Sequence, residues 1–355
     1  MEETTKKKLR NYAFAEGYLR EAYLQISTTS KGVPCIKGDV VVSINRFNSQ
    51  RIHVFAMATK FDGSENKAYK SLAALLDEHV TTIASYIKNL PGDDHNIELL
   101  EESVWEAATK VATKVWFSGS IEEYATISED DNGKEHENSS FSFRAGNGGI
   151  RRDNEKRGFN PRCNVELDGS ILAIRDEQVR KGEEVEETGR VIVDYLWIDY
   201  KGIGHKFSLI APADPINAAN LKMGTFAEYV KDNYEVGQTA QFNVVLFNLI
   251  EKKEEGPKKV EGWGQVSTGP SVTTTFIHEL RIFGGRSRTG FDEDSEFYVP
   301  RDEVTAASTK RRVAAKENWE KSQARKNEAP KKAEAPSKGF VLGASPESAF
   351  DFPDF

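Results

Sequence analysis

Cysteine is scarce in this chain. Cys35 and Cys163 are the only two, and neither belongs to a Cys-x-x-Cys or Cys/His grouping. That argues against a disulfide framework and a structural zinc site, and it suits a reducing cytoplasm. The six histidines, at 53, 79, 95, 136, 205 and 278, show no metal-ligand spacing. No apolar run nears the roughly 20 residues that a bilayer demands. The opening MEETTKKKLRNYAF is charged but has no apolar stretch of the kind a secretory signal needs. Also missing are a Gly-Lys-Ser/Thr phosphate loop, a nucleophile elbow, a metal triad and a paired-carboxylate site. The residues therefore predict a protein that is not an enzyme and needs neither cofactor nor metal.

What the chain does have is alternation. CNVELDGSILAI, GRVIVDYLWIDY and HKFSLIAPA each alternate apolar with polar residues, as half-buried strands do. Lys201-Gly202-Ile203-Gly204 has the composition of a tight turn between the second and third. A short helical stretch near 221–233 follows, and then QFNVVLFNLIE and TTTFIHELRIF add two more strands. Three strands, a helix and two strands is the element order of an OB-fold, a Greek-key barrel that commonly binds oligonucleotides.

The same order occurs upstream. GYLREAYLQIS, IKGDVVVSIN and RIHVFAMATK read as strands, and 65–90 carries Tyr69, Leu72, Leu76, Val80, Ile83 and Ile87 at the spacings of one amphipathic helix. TKVWFSGSIEEYATI and SSFSFRA complete five. The predicted fold is thus mainly β: two OB-type barrels with inserted helices, then a helical and disordered C-terminal region. The boundaries expected are a lead-in at 1–17, barrels at 18–145 and 163–285, a basic Gly-containing connector at 146–162, a polar helix and basic linker at 286–338, and an acidic-aromatic tail at 339–355. Residues 91–112 form an acidic insertion.

A net charge of −8 opposes a nucleic-acid reading only if it is spread evenly, and it is not. The stretch around the connector holds Arg144, Arg151, Arg152, Lys156, Arg157 and Arg162 against Asp153 and Glu155, interleaved with Phe141, Phe143 and Phe159. Cations for phosphates and rings for bases are what a single strand requires. The other reading is a solvated linker whose phenylalanines pack on the barrels. Further candidates are Arg46 and Arg51 around the second strand connection, Phe55 on the third strand, and Tyr195, Trp197, Tyr200, Lys201 and Lys206 about the 201–204 turn. Lys258, Lys259 and Trp263 sit in the long loop before the last strand. Both faces of GRVIVDYLWIDY carry apolar groups, so either is eligible as core. Pro300 is positioned to open a helix at Arg301, read as solvent-exposed, and 310–338 carries ten Lys or Arg against four Glu.

Taken together, 17–44, DGSENKAY at 62–69, FNPRCNVELDGSILAI at 159–174, YVKDNYEVG at 229–237 and AFDFPDF at 349–355 resemble the replicative single-stranded-DNA-binding proteins of phages and mobile elements, in their tandem OB-fold form. The resemblance implies sequence-independent coating of single-stranded DNA during replication and recombination. It also implies recruitment of replication proteins such as polymerase, helicase or primase through Phe350, Asp351, Phe352, Asp354 and Phe355, with no membrane partner. An Asp separates Pro353 from the terminal Phe here, where relatives have Pro-Phe. Two other functions fit the barrels: a virion structural or interaction module, and a strand-annealing mediator.

Overall fold

β1 (Asn11–Thr28) is long enough to serve two neighbours in turn. Its first half pairs with β4 (Lys114–Glu129), and from Tyr18 onward it pairs with β2 (Pro34–Ser43). Gly17 marks the change of partner: a Cβ there would collide with the Ser43 carbonyl. β2 continues antiparallel to β3 (Ser49–Met57), β3 runs parallel to β5 (Glu135–Ile150), and β5 returns antiparallel to β4, closing a five-stranded ring. The computed structural model describes residues 9–77, 79–90, 100–130, 132–151, 158–181, 184–218, 221–255, 271–286 and 297–327.

The second barrel repeats the scheme. β6 (Arg162–Lys181), β7 (Glu184–Ile198) and β8 (Gly204–Ala211) run antiparallel in order. β8 is parallel to β12 (Ser271–Arg286), and β12 pairs with β11 (Thr239–Glu255), which closes on β6. The predicted mainly-β fold, two Greek-key barrels of the OB type with inserted helices, is the fold observed. Its inserts are α1 (Lys67–Ala73), α2 (Ile83–Lys88) and α3 (Glu102–Val111) in the first barrel. In the second they are a β9 (Pro215–Ala218) and β10 (Leu221–Thr225) hairpin followed by α4 (Phe226–Asn233). Val40, Ile52, Val54, Phe117 and Phe143 fill one barrel and Val193, Tyr195, Phe207 and Phe242 the other, within one continuous apolar cluster.

The barrels meet through their first strands. β1 and β6 pair antiparallel from Asn11↔Leu167 to Glu16↔Arg162. Matching the two ladders by register sets Gly17 over Gly169, Ser49 over Lys206, Phe117 over Phe242 and Phe141 over His278. The junction obeys this correspondence. Ala13 pairs with Val165, its own counterpart, and the Phe141 and His278 rings stack at 4.2 Å. Asn248 Nδ2 donates to the Ser49 carbonyl while, at the matching place, the Lys206 amide donates to Glu123 Oε2. A pseudo-twofold axis therefore relates the barrels, and each β4–β5-type hairpin lies against the other barrel's third strand.

Four expectations change. Strand begins at Asn11, within the supposed lead-in, and Gly146 to Ile150 belong to β5 rather than to a connector. The single helix over 65–90 is broken: after α1 and a 3-10 turn (Ala74–Leu76) the chain extends, and Thr82 restarts it as α2 with a capping box to Ser85. The helix opened by Pro300, α5 (Arg301–Asn327), is docked rather than solvated. Val304, Ala307, Arg311, Ala315 and Asn318 form one stripe at three- and four-residue spacings. Ala307 packs with Leu196, Ile198 and Val299, while Ala315 packs with Ala125 and Ile127. Arg311 engages Glu123 and Glu137, and Arg312 and Lys316 engage Glu135. One helix thus straps β7 of one barrel to the β4–β5 hairpin of the other.

Candidate nucleic-acid interface

Alternation places one side of each strand inside the barrel and leaves the other outside. On the first barrel Val40, Ile52 and Val54 point inward and are fully buried. The outward side of β1, β2 and β3 then forms rows set by register: Glu21–Val41–Arg51, Tyr23–Asp39–His53 and Gln25–Lys37–Phe55. Two aromatic rings, an imidazole and two cations share this surface. His53 Nδ1 lies 2.5 Å from Asp39 Oδ1, which orients the imidazole, whereas Arg51 only grazes Asp39 at 3.9 Å and is exposed. Tyr23 donates to Glu21 at 3.0 Å, and burial together with that acid raises its phenol pKa, so the group stays a neutral ring and donor.

The matching side of the second barrel is built differently. The counterparts of Tyr23, Asp39 and His53 are Arg175, Ile192 and Ile210; those of Val41 and Arg51 are Asp194 and Ser208; those of Lys37 and Phe55 fall one residue past the end of the β7–β8 ladder, at Arg190 and Pro212. Asp194 accepts from Arg175 at 3.1 Å and from Ser208 at 3.2 Å, and Lys206 approaches it at 3.7 Å. Arg190 lies between Glu177 at 3.2 Å and Glu279 at 2.5 Å. Ile210 is buried.

The residues singled out by sequence fall into distinct settings. Arg51 and Phe55 share the outward face of the first barrel. Phe143 and Tyr195 are buried, which corrects their assignment as base-contacting rings: Phe143 is core, and Tyr195 donates to the carbonyls of Leu167 and Ala240 inside the second barrel. Burial drives the Tyr195 phenol well above its ordinary pKa. Trp197 is half-buried, donates to the Leu9 carbonyl at 3.2 Å and packs beside His205, so it serves the fold. Arg151 is an ion-pair partner of fully buried Glu16, not a mobile phosphate ligand.

Arg144 pairs with Glu122 at 3.0 Å, and Arg46 donates to the Leu100 carbonyl. Phe159 sits edge-on to Tyr18 at 5.0 Å with Lys114 over its ring, and Arg162 lies over Phe14. Phe141 is committed to His278, whose pKa burial lowers. Tyr200 and Lys201 are exposed at the β7–β8 turn, with the ammonium 5.4 Å from the ring, and Lys206 is half-buried. Arg152, Lys156, Arg157, Lys258, Lys259, Trp263 and the tail residues Phe350, Asp351, Phe352, Asp354 and Phe355 lie outside the described residues. Tyr23 and Lys37 escaped the sequence reading, although their alternation in GYLREAYLQIS and IKGDVVVSIN assigned them to Phe55's side of the sheet once pairing was known.

Fold and site together define a two-barrel β protein whose first barrel carries an aromatic and cationic outward face. The chain belongs to the YorF family, whose model it matches over residues 10–322. No curated protein matches it. Among solved structures it is similar to the wild-type single-stranded DNA binding protein from Thermus aquaticus, at 12% identity and a TM-score of 0.37, covering 79% of this chain and 94% of that one. A deletion mutant of the same protein aligns at 13% identity and a TM-score of 0.36, over 79% and 95% of the two chains. Among the described residues no helix is long and apolar enough to cross a membrane.

Proposed function

We propose that this chain is a sequence-independent single-stranded-DNA-binding protein, without catalytic activity, that coats and protects strands during replication. One observation carries the proposal: a barrel face on which Tyr23 and Phe55 stand among Lys37, Arg51 and His53. Rings tolerate any base because every base has a π-face, and cations follow the phosphates. The overall charge of −8 does not by itself count against this, because a strand meets the local cations of a face rather than the net charge of the chain. The acidic-aromatic tail is proposed to recruit replication proteins, its carboxylates meeting a basic rim and its rings an apolar hole. The deciding measurement is a titration of fluorescent oligo-dT against duplex of equal length at two salt concentrations. Single strand should bind far more tightly, with a log–log salt slope of about −0.7 per phosphate engaged. Equal affinity for duplex, or no binding at low salt, overturns the proposal.

A further inference from the structure

The pseudo-twofold axis permits a comparison that the sequence alone does not offer, because outward residues on the paired strands of one barrel have counterparts on the other. We infer that the two barrels divide the work: bases stack on the first barrel alone, and the second is a scaffold whose matching face is closed to nucleic acid. The inference rests on the single-strand reading proposed above.

Three differences carry it. The positions of Tyr23 and Phe55 are held by Arg175 and Pro212 on the second barrel, so both rings are lost there. Of the cations that remain, Arg175 is paired with Asp194 at 3.1 Å and Arg190 is held between Glu177 and Glu279. A phosphate arriving there must displace a carboxylate already in place. On the first barrel, by contrast, Asp39 is engaged by His53 and holds Arg51 only at 3.9 Å. The flanking hairpins repeat the contrast. The β1–β2 turn carries Ser30, Lys31 and Gly32, whereas the β6–β7 hairpin exposes Glu184, Glu186 and Glu187 beside Arg180, with Asp176 paired to Lys231, and is the more acidic of the two.

The third difference is a ring that has been covered. Phe247, on the β11–β12 hairpin of the second barrel, lies under Arg281 at 4.2 Å, and Arg281 is itself paired with Glu279. An aromatic on this side is thus capped by its own chain. Its counterpart on the first barrel is Glu122.

Two paired variants of the full chain test the division: Tyr23→Ala/Phe55→Ala and Arg175→Ala/Ile192→Ala, each with a melting curve and oligo-dT anisotropy. The first pair should lose about tenfold or more in affinity, as removal of stacked bases does, and the second should stay within about twofold. Photocrosslinking of iodouridine-substituted oligo-dT to the unmutated chain provides a readout that does not depend on variants folding. Adducts should map to peptides containing Tyr23 or Phe55 and be absent from 175–212. Equal losses in the two variants, or adducts on both barrels, overturn the division while leaving single-strand binding intact. If the unmutated chain fails to bind oligo-dT at low salt, the single-strand reading fails, and the division falls with it.

Discussion

Arg151 offers the sharpest test of how the chain's basic residues are used. Read by composition it belongs to a cationic connector, and its loss should weaken nucleic-acid binding at little cost in stability. Its guanidinium instead pairs with Glu16, and the two side chains are only 7% and 1% exposed. Glu16 stands on β1 at the junction, opposite Arg162 of β6. Arg151→Ala would strand a carboxylate in the interior. Breaking a buried pair from one side costs about 3–5 kcal/mol, because the remaining charge keeps its desolvation penalty. At about 2–4 °C per kcal/mol for a domain of 150–250 residues, melting should fall by roughly 6–20 °C. Adding Glu16→Gln removes the orphaned charge and should recover part of that loss. Thermal melts and urea titrations of the two variants provide the numbers, with oligo-dT affinity read well below the transition. An Arg151→Ala protein that melts like the unmutated chain but binds DNA more weakly refutes the structural assignment and restores the phosphate one.

Three further outcomes are expected. His278 stacks on Phe141 while keeping an exposed edge, and partial desolvation there lowers its folded pKa from the ordinary 6.5. The unfolded chain therefore takes the proton first, and stability should decline as pH falls below about 6.5, levelling off beneath the folded value. Stability measured from pH 8 to 5 in the unmutated chain and in His278→Gln should show that part of the slope vanish in the variant. Arg311→Ala should release α5, since it leaves Glu123 and Glu137 without their shared cation. Limited proteolysis should then cleave within 301–327, and unchanged protection would contradict the strap. Trp197→Ala should cost folding, up to about 3–5 kcal/mol for a large aromatic, and leave oligo-dT affinity unaltered; a binding loss without a melting shift would return Trp197 to the interface.

Much of the architecture was legible because period-two alternation is a local signal and each strand carries its own. Gly169, inside DGS, stands at the partner change of β6, and a Cβ there would strike the Leu196 carbonyl. The element order followed directly. Two features resisted. GRVIVDYLWIDY is apolar on both faces because both are covered: Tyr195 fills the barrel, while Leu196 and Ile198 meet Leu9, Val299 and Ala307. Nothing local distinguishes a face turned to the core from one turned to a distant helix. α5 was misread for the opposite reason. Its buried stripe is alanine, arginine and asparagine, low in hydrophobicity, and only its spacing marks it as a docking face. The break between α1 and α2 rests on a Thr82–Ser85 capping box, a weaker signal than the usual Glu or Gln at that position.

The site was less legible than the fold, since a binding face is a property of pairing rather than of any one segment. Tyr23, Lys37 and Phe55 are scattered over more than thirty residues and become neighbours only through the β1–β2 and β2–β3 registers. The basic connector drew attention because its charges are adjacent in sequence, yet of its two described cations Arg151 is paired with buried Glu16 and Arg162 lies over Phe14. Density of charge along a chain measures nothing about availability. A cation contributes to phosphate binding in proportion to how poorly its own protein has already neutralised it. By that measure Arg51, loosely held beside Asp39, outranks Arg190, held by two glutamates, although both sit on outward barrel faces. Duplication of the barrel supplied two such faces. Among the described residues, internal ion pairs occupy one of them, and the other is the face proposed for a strand.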